Sequence, residues 1–558
     1  MGVYLNPGNE SFRMALNSEI YVDKTGMIRY LNALVGTKQR FVSVSRPRRF
    51  GKTTAADMIG AYYDRTADSR ELFLDRKLEN CAPVQSEGRE LPWDAYLGGF
   101  DVVRVVITDF MEGSDGVEDL LEYLTEEVTG ELMEAYPEVD FGSRRNLRSV
   151  MAKIYGKAKR QFVFIIDEWD AIFRSWKRDA DGQTRYLDFL RDLLKDKPYI
   201  ALAYMTGILP IKKCGQHSAL NMFDEYSMMA PMQLAPFTGF TEEEVQGLCR
   251  QYGRDYESIR DWYDGYEVSD VVPPDPNHIG LLTSGQSPAA KRYALYSPES
   301  VVKAVLNGHI RNYWNKTETY EALAEYIRMD YDGLKDAVAL LMDGGRLKID
   351  TSTYQNDMTT FHSRDDVLSL LIHLGYLGYD DERGEVFIPN REILAEFKTS
   401  TKSEEWTATF KAFAASQKLL EATWAKDEAV VAEYLEDAHN QAGNRTYNDE
   451  AALSYGIRLA YYAAQKYYTT ILELDSGKGY ADIAYLPSPK YPNIPALLVE
   501  LKYNKNVETA LSQIKRQRYD ERLEHYKGNI LLVAIDYDRR KKNTSDEFKH
   551  HKCRIEEA

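Results

Sequence analysis

The first 240 residues alternate short apolar segments with segments of helical periodicity. The apolar segments are RFVSVS, DVVRVVITDF, QFVFIIDEWDAIF and YIALAYMTGI, and the helical ones include TTAADMIGAYYDR and VEDLLEYLTEEVTGELMEAY. Apolar strands that alternate with helices are typical of a parallel sheet with helices on both faces. We therefore predict an α/β domain at residues 1–240. Its ligands are expected at the carboxyl ends of the strands.

Amphipathic helices dominate residues 241–400. The segments TEEEVQGLCRQYG, YEALAEYIRMDYDGLKDAVALLM and SRDDVLSLLIHLGYLGY have this pattern, and few strand patterns lie between them. We predict a helical accessory region whose boundary with the next domain falls in the polar segment 396–406, EFKTSTKSEEW.

Residues 401–558 begin with a long helical pattern and then become mixed. KYYTTILELDSGKGYADIAYLPSP predicts two strands joined by a glycine-containing turn, and PALLVELKYN and NILLVAIDYD predict buried strands. The segment VETALSQIKRQRYDERLEHY, between these two strands, has helical periodicity. The pattern predicts a mixed α/β domain.

Composition narrows the class of protein. The chain has 558 residues, of which 44% are hydrophobic and 28% charged, so it can bury several cores and is not disordered as a whole. A formal net charge of −17 argues against a protein that coats nucleic acid with its whole surface. A local nucleic-acid site is still compatible with this charge.

Cysteine usage and hydropathy bear on the compartment. The four cysteines lie far apart without a C-x-x-C pair, so neither a disulfide framework nor a zinc ribbon is supported. No segment reaches the roughly 18 consecutive apolar residues of a membrane span, and residues 1–26 lack the apolar core of a signal peptide. The sequence predicts a cytoplasmic protein without a membrane partner.

The segment after the first apolar run, SRPRRFGKTT, has the residues of a phosphate-binding loop. A strand, a turn and a helix N-terminus together direct backbone N–H groups toward an anion. Gly51 would let the backbone approach the phosphate, Lys52 would neutralise the β and γ oxygens, and Thr53 would bind Mg²⁺. Arg46 stands where the pattern G-x-x-x-x-G-K-[ST] has its first glycine, and Pro47 favours an extended residue 46.

Two further apolar strands end in polar residues that such a site needs. In FVFIIDEWD, Asp167 would hold Mg²⁺ through water and Glu168 would be the base that polarises the attacking water. IALAYMTGI contains Thr206, at the position of a γ-phosphate sensor. Arg48 and Arg49 either add phosphate contacts or form a solvated basic patch. The residues predicted to contact ATP or its Mg²⁺ are Arg48, Arg49, Phe50, Gly51, Lys52, Thr53, Thr54, Asp167 and Thr206.

Six motifs resemble the AAA-ATPase-like family that is common in bacteria: YVDKTGMIRYL, SRPRRFGKTT, IIDEWDAIF, MTGILPIKK, FTGFTEEEV and WYDGYEV. The resemblance spans residues 1–300 and implies a P-loop NTPase fold that binds ATP. It also implies that Arg46 is usual in this loop. The family often has tyrosine where this chain has Trp169, a change that preserves both neighbouring acids. Tyr21, Asp23 and Lys24 match the family's opening motif without an assigned role.

A second group of charged residues lies in GKGYADIAYL and PALLVELKYN. Metal-dependent cleavage of a phosphodiester needs carboxylates that hold Mg²⁺ against the phosphate, together with a cation. Glu500 and Lys502 are two positions apart on one strand, so their side chains lie on the same face, and Asp482 lies on the strand before. These residues are either catalytic or an ion pair within the sheet without a catalytic role.

This group resembles the PD-(D/E)XK nuclease superfamily, in which the motif would be G-x-x-D followed by E-L-K. The resemblance implies that Asp482 and Glu500 bind Mg²⁺, that Lys502 assists the water and that Gln513 orients a catalytic group. Glu450, in NDEAALSYGIRLAYY, matches the upstream acid and would complete the metal site. The pairing of an ATPase-like with a nuclease-like domain is itself familiar in that bacterial family.

The basic and histidine residues near the C-terminus have a less specific pattern. The basic ones either steer a phosphate backbone or form a solvated helix face; they are Lys505, Lys515, Arg516 and Arg518. His525, His550 and His551 show no metal-ligand spacing, and we interpret them as surface residues.

Together these features predict an ATP-binding, ATP-hydrolysing protein with a Mg²⁺-dependent nuclease domain that acts on DNA or RNA. One alternative is an ATP-controlled regulatory or assembly switch whose C-terminal domain binds nucleic acid without cutting it. Another is a nucleotide-gated defence effector. The sequence leaves open the nucleic-acid substrate and whether the chain forms a homo-oligomer.

Overall fold

The structure is a computed structural model. It describes residues 2–86, 89–143, 145–211, 220–271, 290–314, 319–329, 331, 333–356, 358–402, 404–442, 450–475, 480–488, 490–516, 526, 528–538 and 550–558. The chain forms two compact units. The first comprises Met1–Tyr326 and Lys348–Glu396, and the second comprises Ile327–Leu347 and Phe397–Ala558. Most of the predicted accessory region 241–400 thus belongs to the first unit.

The helices and strands are numbered in chain order. The helices are α1 (Glu10–Leu16), α2 (Gly26–Leu34), α3 (Lys52–Tyr63), α4 (Arg70–Phe73), α5 (Ile107–Met111), α6 (Val117–Ala135), α7 (Leu147–Ala158), α8 (Ala171–Ser175), α9 (Ala180–Leu194), α10 (Glu242–Tyr252), α11 (Tyr256–Tyr263), α12 (Pro298–Asn307), α13 (Thr319–Ile327), α14 (Leu334–Met342), α15 (Arg364–Leu374), α16 (Arg391–Ser400), α17 (Glu404–Trp424), α18 (Glu428–Ala442), α19 (Glu450–Ala460) and α20 (Val507–Arg516). The strands are β1 (Phe41–Ser45), β2 (Val84–Ser86), β3 (Arg89–Leu91), β4 (Asp101–Val106), β5 (Phe162–Asp167), β6 (Ile200–Gly207), β7 (Asp224–Tyr226), β8 (Phe240–Thr241), β9 (Tyr266–Val271), β10 (Ala290–Tyr296), β11 (Leu347–Lys348), β12 (Gly378–Asp380), β13 (Glu385–Phe387), β14 (Tyr468–Asp475), β15 (Tyr480–Pro487), β16 (Ala496–Tyr503), β17 (Ile530–Tyr537) and β18 (His551–Glu557). Short 3-10 helices span Met232–Phe237 and Tyr462–Lys466.

The first unit is built on a five-stranded parallel sheet, which confirms the predicted α/β class. Its strand order is β4-β5-β6-β1-β7, and every neighbouring pair is parallel. The strands β1, β5 and β6 are buried along their whole length, as expected where helices cover both faces. Apolar residues of α3 pack on this sheet; the cluster includes Ala56, Ile59, Val42, Val44, Val163, Ile165 and Leu202.

The middle of the chain contains more strand than its helical pattern predicts. Besides α10, α11, α12 and α15, the first unit holds an antiparallel sheet of order β8-β10-β9. A small sheet of order β11-β13-β12 lies farther along the chain. Strand formation depends on pairing and burial as well as on the local sequence, so periodicity alone does not reveal these strands.

The second unit is built on a mixed five-stranded sheet of order β14-β15-β16-β17-β18. The predicted hairpin is present as antiparallel β14 and β15, and the two predicted buried strands, β16 and β17, are parallel to each other. Helices α17, α18 and α19 supply Leu419, Leu435 and Ile457 to one face, against Leu497, Val499 and Leu501. Helix α20 covers the other face with Val507, Ala510, Leu511 and Ile514, against Leu498, Leu532 and Ala534.

Within the described residues, no helix has the length and apolar character needed to cross a bilayer.

Candidate functional site

The phosphate loop connects β1 to α3. Helix α3 begins at Lys52, and its N-cap, Gly51, has a left-handed backbone with φ 80°. An ideal Cβ at Gly51 would meet nothing within 4 Å, so the backbone conformation, not lack of space, favours glycine here. Arg49 is also left-handed, with φ 70°. Because the first N–H groups of a helix have no intrahelical acceptor, those of α3 can donate hydrogen bonds to an anion bound at this turn.

Lys52 is the buried cation of this loop. Its Nζ donates hydrogen bonds to the carbonyl oxygens of Arg46 at 3.0 Å and Pro47 at 2.8 Å. Burial lowers the pKa of Lys52 to about 8, against the raising effect of the Asp170 and Asp167 carboxylates. The lysine therefore lies within electrostatic reach of two acids at the carboxyl edge of the sheet.

Asp167 and Thr206 lie at the carboxyl ends of the neighbouring strands β5 and β6. The Oδ1 atom of Asp167 accepts the Glu168 N–H at 3.0 Å. Its Oδ2 atom and the buried Oγ1 atom of Thr206 have no hydrogen-bond partner among the described residues. Burial raises the pKa of Asp167, while nearby Thr53 and Lys52 lower it. Buried polar atoms are normally paired, so these two are available to a ligand.

Arg174 on α8 links Glu168 to Asp170. Its Nη2 lies 2.8 Å from Glu168 Oε2 and its Nε lies 3.1 Å from Asp170 Oδ2. The side chain of Glu168 is 40% exposed, and its backbone is left-handed with φ 51°. Asp170 is fully buried and also accepts the N–H groups of Ile208 and Leu209, at 3.2 and 2.9 Å.

Sequence reasoning assigned no role to Asp170 or Arg174. Asp170 ends the quoted motif DEWD and lies four residues before Arg174, a spacing that brings side chains together on a helix. That spacing was the available signal for this ion pair.

Arg49 and Phe50 contact residues far along the chain. The Nε of Arg49 lies 2.9 Å from Glu299 Oε2, and its Nη1 donates to the Tyr313 carbonyl oxygen at 2.6 Å. Phe50 is buried edge-to-face against Tyr266 of β9, with ring centroids 5.3 Å apart. Their contact with phosphate stays a prediction.

The remaining predicted loop residues differ in burial. Arg48 is half-buried, whereas Thr53 and Thr54 on the first turn of α3 are exposed. Arg46 is fully buried, and its Nη1 donates to the carbonyl oxygens of Ser45 at 2.8 Å and Tyr226 at 2.9 Å. The arginine in the place of the first glycine thus points into the protein.

A largely apolar cleft of about 360 Å³ adjoins the phosphate loop. Gly51, Thr54, Tyr21, Lys24, Phe237 and Phe240 are among its lining residues. This places part of the opening motif beside the loop.

Two residues of that motif have structural contacts as well. Lys24 Nζ lies 2.5 Å from Glu244 Oε2 and 2.7 Å from the Pro236 carbonyl oxygen. Asp23 accepts the N–H groups of Thr25 at 2.9 Å and Lys77 at 2.7 Å. The motif therefore ties the chain before α2 to residues far along the sequence.

In the second unit, Glu500 and Lys502 form a buried ion pair near the carboxyl end of β16. Lys502 Nζ lies 2.8 Å from Glu500 Oε1, and the two side chains are 8% and 1% exposed, respectively. The alternation of side chains along a strand predicts this shared face, and the structure has it. A charge pair so far from water is costly unless it is well bonded or used.

Asp482 joins this pair from the neighbouring strand. The antiparallel register pairs Ile483 with Val499, so one further step places Asp482 opposite Glu500 and on the same face. Asp482 Oδ2 accepts the Leu501 N–H at 2.6 Å. The structure therefore brings together the three charged residues that the motif predicts.

Other predicted residues of this site are placed less closely. Gln513 is half-buried on α20, which covers the face of the sheet that carries the ion pair. The side chains of Glu450 and Arg516, and the whole of Arg518, lie outside the described residues. Lys505 is exposed. Lys515 pairs with Glu556 at 2.5 Å on the surface.

Asp536 is a buried acid that the sequence analysis overlooked. It is the register partner of Lys502 on parallel β17, and its Oδ1 accepts the Lys505 N–H at 3.2 Å. Within the described part of the chain, no three His, Cys, Asp or Glu side chains are grouped as a metal site would require.

The interpretation of His551 as a surface residue is wrong, whereas the His550 side chain is half-buried and 22% exposed. Their Nδ1 atoms lie 2.8 and 2.9 Å from the two carboxylate oxygens of Glu436 on α18. His551 is 1% exposed. His525 lies outside the described residues.

Comparison with known proteins supports a domain assignment for each unit. The model of a predicted AAA-ATPase family matches residues 8–216, and the model of a PD-(D/E)XK nuclease superfamily matches residues 454–547. No curated protein matches the chain significantly. A solved structure of the Aeropyrum pernix ORC2 protein, in ADPNP and ADP complexes, is 10% identical and covers 70% of this chain and 98% of its own, with a TM-score of 0.23. That score is too low to support an argument about fold. The two family matches, together with the parallel and mixed sheets, identify this chain as one with a predicted AAA-ATPase domain and a PD-(D/E)XK nuclease superfamily domain.

Proposed function

We propose that the N-terminal domain binds and hydrolyses ATP with Mg²⁺ and that the C-terminal domain is a Mg²⁺-dependent nuclease acting on DNA or RNA. One observation supports both halves: beside the parallel sheet and within the mixed sheet, a buried lysine lies near carboxylates at the carboxyl end of a central strand. Lys52 lies near Asp167 and Asp170, and Lys502 lies against Glu500. Clustered buried charges of this kind are typical of sites that bind or transform charged ligands.

The residues around the phosphate loop fit a nucleotide with its metal. The Oδ2 atom of Asp167 and the Oγ1 atom of Thr206 lack partners among the described residues, and oxygen atoms are what Mg²⁺ and phosphate groups engage. Thr53 and Asp167 would hold Mg²⁺, and Lys52 and the first N–H groups of α3 would bind the phosphates. Bound Mg²⁺ would neutralise charge that builds up on the phosphate oxygens.

The neighbouring cleft suits the base of a nucleotide. Its walls include the rings of Tyr21, Phe237 and Phe240, and it borders Gly51 and Thr54 of the loop. Small-molecule sites are mostly apolar with a few polar groups that fix orientation. A base in this cleft would leave its phosphates directed toward the start of α3.

Glu168 is the proposed base for hydrolysis. Its side chain is 40% exposed, so water reaches it, although Arg174 binds its Oε2 at 2.8 Å. Its left-handed backbone is a conformation that non-glycine residues adopt at a cost, and such residues are frequent at active sites.

The residues of the second unit fit a hard cation and a phosphodiester. Asp482 and Glu500 share one face of the sheet and offer the carboxylate oxygens that Mg²⁺ prefers. Bound Mg²⁺ would activate water and stabilise charge on the scissile phosphate. Lys502, fixed by Glu500, would orient the water or the phosphate.

Cleavage of nucleic acid by the full chain tests the nuclease half. We expect plasmid DNA or a single-stranded RNA to be cut with Mg²⁺ and not with a chelator. D482N and K502M should each lower the rate at least about a hundredfold, because each removes a group that acts in the transition state. K426M is the matched control, since Lys426 forms a lysine–glutamate pair with Glu557 at the surface.

Two results would contradict the nuclease assignment, and a third would show that ATP controls the nuclease. Cleavage that survives both D482N and K502M would place the chemistry elsewhere. Binding of nucleic acid without cleavage would favour the switch, whereas cleavage that begins only when ATP is added would favour a nucleotide-gated effector.

Calorimetric titration with ATP and Mg²⁺ tests the nucleotide half. K52M should weaken ATP binding at least about a hundredfold, because a buried ammonium that neutralises phosphate has no neutral substitute. K159M, at the C-cap of α7, is the control and should bind like the wild type. ATP affinity retained in K52M would rule out the phosphate-loop assignment.

A further inference from the structure

Arg46 occupies the carboxyl edge of the parallel sheet. Its Nη1 donates to the carbonyl oxygen of Ser45, the last residue of β1, at 2.8 Å. The same nitrogen donates to the carbonyl oxygen of Tyr226, the last residue of β7, at 2.9 Å. The guanidinium therefore lies between two adjacent strand ends, at the edge where the phosphate loop leaves the sheet.

This guanidinium is buried without a compensating anion. Arg46 is 0% exposed, and its Nε and Nη2 atoms have no hydrogen-bond partner among the described residues. Burial lowers the pKa of Arg46 to about 10, with only the Tyr204 hydroxyl opposing it, so the side chain stays charged at neutral pH. No carboxylate of the described residues forms an ion pair with it.

A buried and unpaired cation is unfavourable unless something nearby offsets its charge. The backbone of the same residue contacts the second buried cation of the loop, since Lys52 Nζ donates to the carbonyl oxygen of Arg46 at 3.0 Å. Lys52 has the Asp170 and Asp167 carboxylates nearby, whereas Arg46 has no such partner. An anion bound within the loop would offset the charge of Arg46.

We propose that Arg46 is an electrostatic positioning residue for nucleotide phosphates, acting through the loop without touching the ligand. The proposal rests on the proposed binding of ATP. The carbonyl oxygens that end β1 and β7 hold the guanidinium beside the loop, so we assign it no direct contact with the ligand. A charge inside the protein acts at short range with little screening by water. An arginine in the place of the first glycine therefore contributes charge in addition to shaping the turn.

A purely structural role makes different predictions. If Arg46 only bridges the strand ends, any substitution that breaks the two carbonyl contacts should impair the loop alike, whatever its charge. Lysine keeps the charge but lacks the planar fork of arginine, and methionine has a similar length without charge. The two variants separate charge from shape.

The experiment is a calorimetric titration of the full chain with adenosine, ADP and ATP. R46M should weaken ADP and ATP binding at least about tenfold and leave adenosine binding within about twofold of the wild type. The tenfold loss should be the same at low and high salt, because a buried charge is little screened. R46K should bind ATP within about threefold of the wild type. R40M is the matched control because Arg40 precedes the same strand at its opposite end and binds the Thr37 carbonyl oxygen. R46Q replaces R46M if the methionine variant does not fold.

The outcomes are distinguishable. ATP affinity unchanged in R46M would overturn the role of Arg46 while leaving ATP binding intact. Equal losses in R46M and R46K, or an equal loss for adenosine and ATP, would overturn it in favour of loop shape. A wild-type chain that binds none of the three ligands would overturn the proposed function itself, and this inference with it.

Discussion

Lys52 and Lys502 are held in similar surroundings although they lie in different units. As whole residues they are 8% and 6% exposed, and each lies near carboxylates at a strand end. A lysine removed from water in this way has lost most of its hydration before any ligand arrives. Its interaction with a phosphate oxygen is therefore stronger than that of a lysine on the surface.

Asp264, in the motif WYDGYEV, is a second residue whose chemistry depends on burial. Its Oδ1 atom has no hydrogen-bond partner among the described residues, and burial raises its pKa to about 6. The native state keeps this proton at a pH where the unfolded chain, with a pKa of about 4, has released it. Stability should therefore fall as the pH rises from about 4 to about 6.

D264N mimics the protonated carboxyl and tests this prediction. At pH 7 the variant should match or exceed the wild type in stability, by up to about 1 kcal/mol, because it removes a poorly solvated charge. Below pH 4 the two proteins should converge. Thermal unfolding across pH 3.5 to 7.5 measures the difference in stability. A variant less stable than the wild type at pH 7 would contradict the prediction, because it would show that the ionised carboxylate of Asp264 stabilises the native state.

At the scale of elements, the last residue of β6, Gly207, has no room for a side chain. A Cβ on Gly207 would lie 2.6 Å from Asp170 Oδ1 and 2.7 Å from the ring of Trp169. Asp170 cannot easily move aside, because it is bound to Arg174 and to the N–H of Leu209. The glycine thus permits the packing of β6 against the segment that follows β5.

G207A should destabilise the first unit by about 1–3 kcal/mol, the usual range for overpacking. G156A is the matched control, because a Cβ at this exposed position of α7 meets nothing within 4 Å. The control should be neutral or stabilised by up to about 1 kcal/mol, as for glycine to alanine within a helix. Denaturant unfolding compares the two, and an unaffected G207A would mean that β6 shifts freely.

One carboxylate, that of Glu436, links the last strand, β18, to α18. Glu436 accepts hydrogen bonds from the backbone N–H groups of His550 and His551 at 2.9 and 3.1 Å. The ring Nδ1 atoms of both histidines are also hydrogen-bonded to this carboxylate. Burial opposes ionisation of Glu436, but the hydrogen bonds from His551 and His550 outweigh it and hold its pKa at about 2. This carboxylate is therefore charged at any ordinary pH.

E436Q should loosen β18, because an amide offers one acceptor oxygen in place of two. We expect hydrogen exchange of residues 551–557 at neutral pH to become about tenfold faster or more, in line with the loss of hydrogen bonds to a charged acceptor. E421Q, on the exposed side of α17, should exchange like the wild type. Unchanged protection of β18 would show that the sheet alone holds this strand.

The local sequence pattern predicts some of the strands and misses others. The apolar runs that become β1, β5, β6, β16 and β17 are recognisable because fully buried strands are continuously hydrophobic. The strands β8 to β13 and the pairing of His551 with Glu436 were missed. Strand pairing and the burial of an ion pair depend on tertiary contacts, which no local period encodes.

At the scale of the whole molecule, the units do not follow the chain in simple order. The second unit includes Ile327–Leu347, and its helix α14 buries Leu334, Val338 and Leu341. In the same unit Lys466 Nζ lies 2.6 Å from Asp343 Oδ2. The division at residue 400 predicted from sequence would therefore separate α14 from the unit to which it belongs.

A fragment of residues 397–558 should be less stable than one in which residues 327–347 are joined to it by a glycine–serine linker. The added helix restores apolar burial worth several kcal/mol at about 25 cal/mol per Å². Thermal unfolding should show a melting temperature several degrees higher for the joined fragment. A linker of the same length carrying a scrambled α14 is the control, and equal melting temperatures in all three would contradict this unit boundary.

The sequence by itself determined the strands with continuous apolar runs, the phosphate loop and the charged motifs at strand ends, because these depend on neighbours within a few residues. The tertiary structure alone decided that Arg46 points inward, that Arg174 links Glu168 to Asp170, and that α14 joins the second unit. Each of these depends on which distant segments pack together. Burial, charge pairing and strand register are properties of that packing, and they set the chemistry of the same residues that the motifs had named.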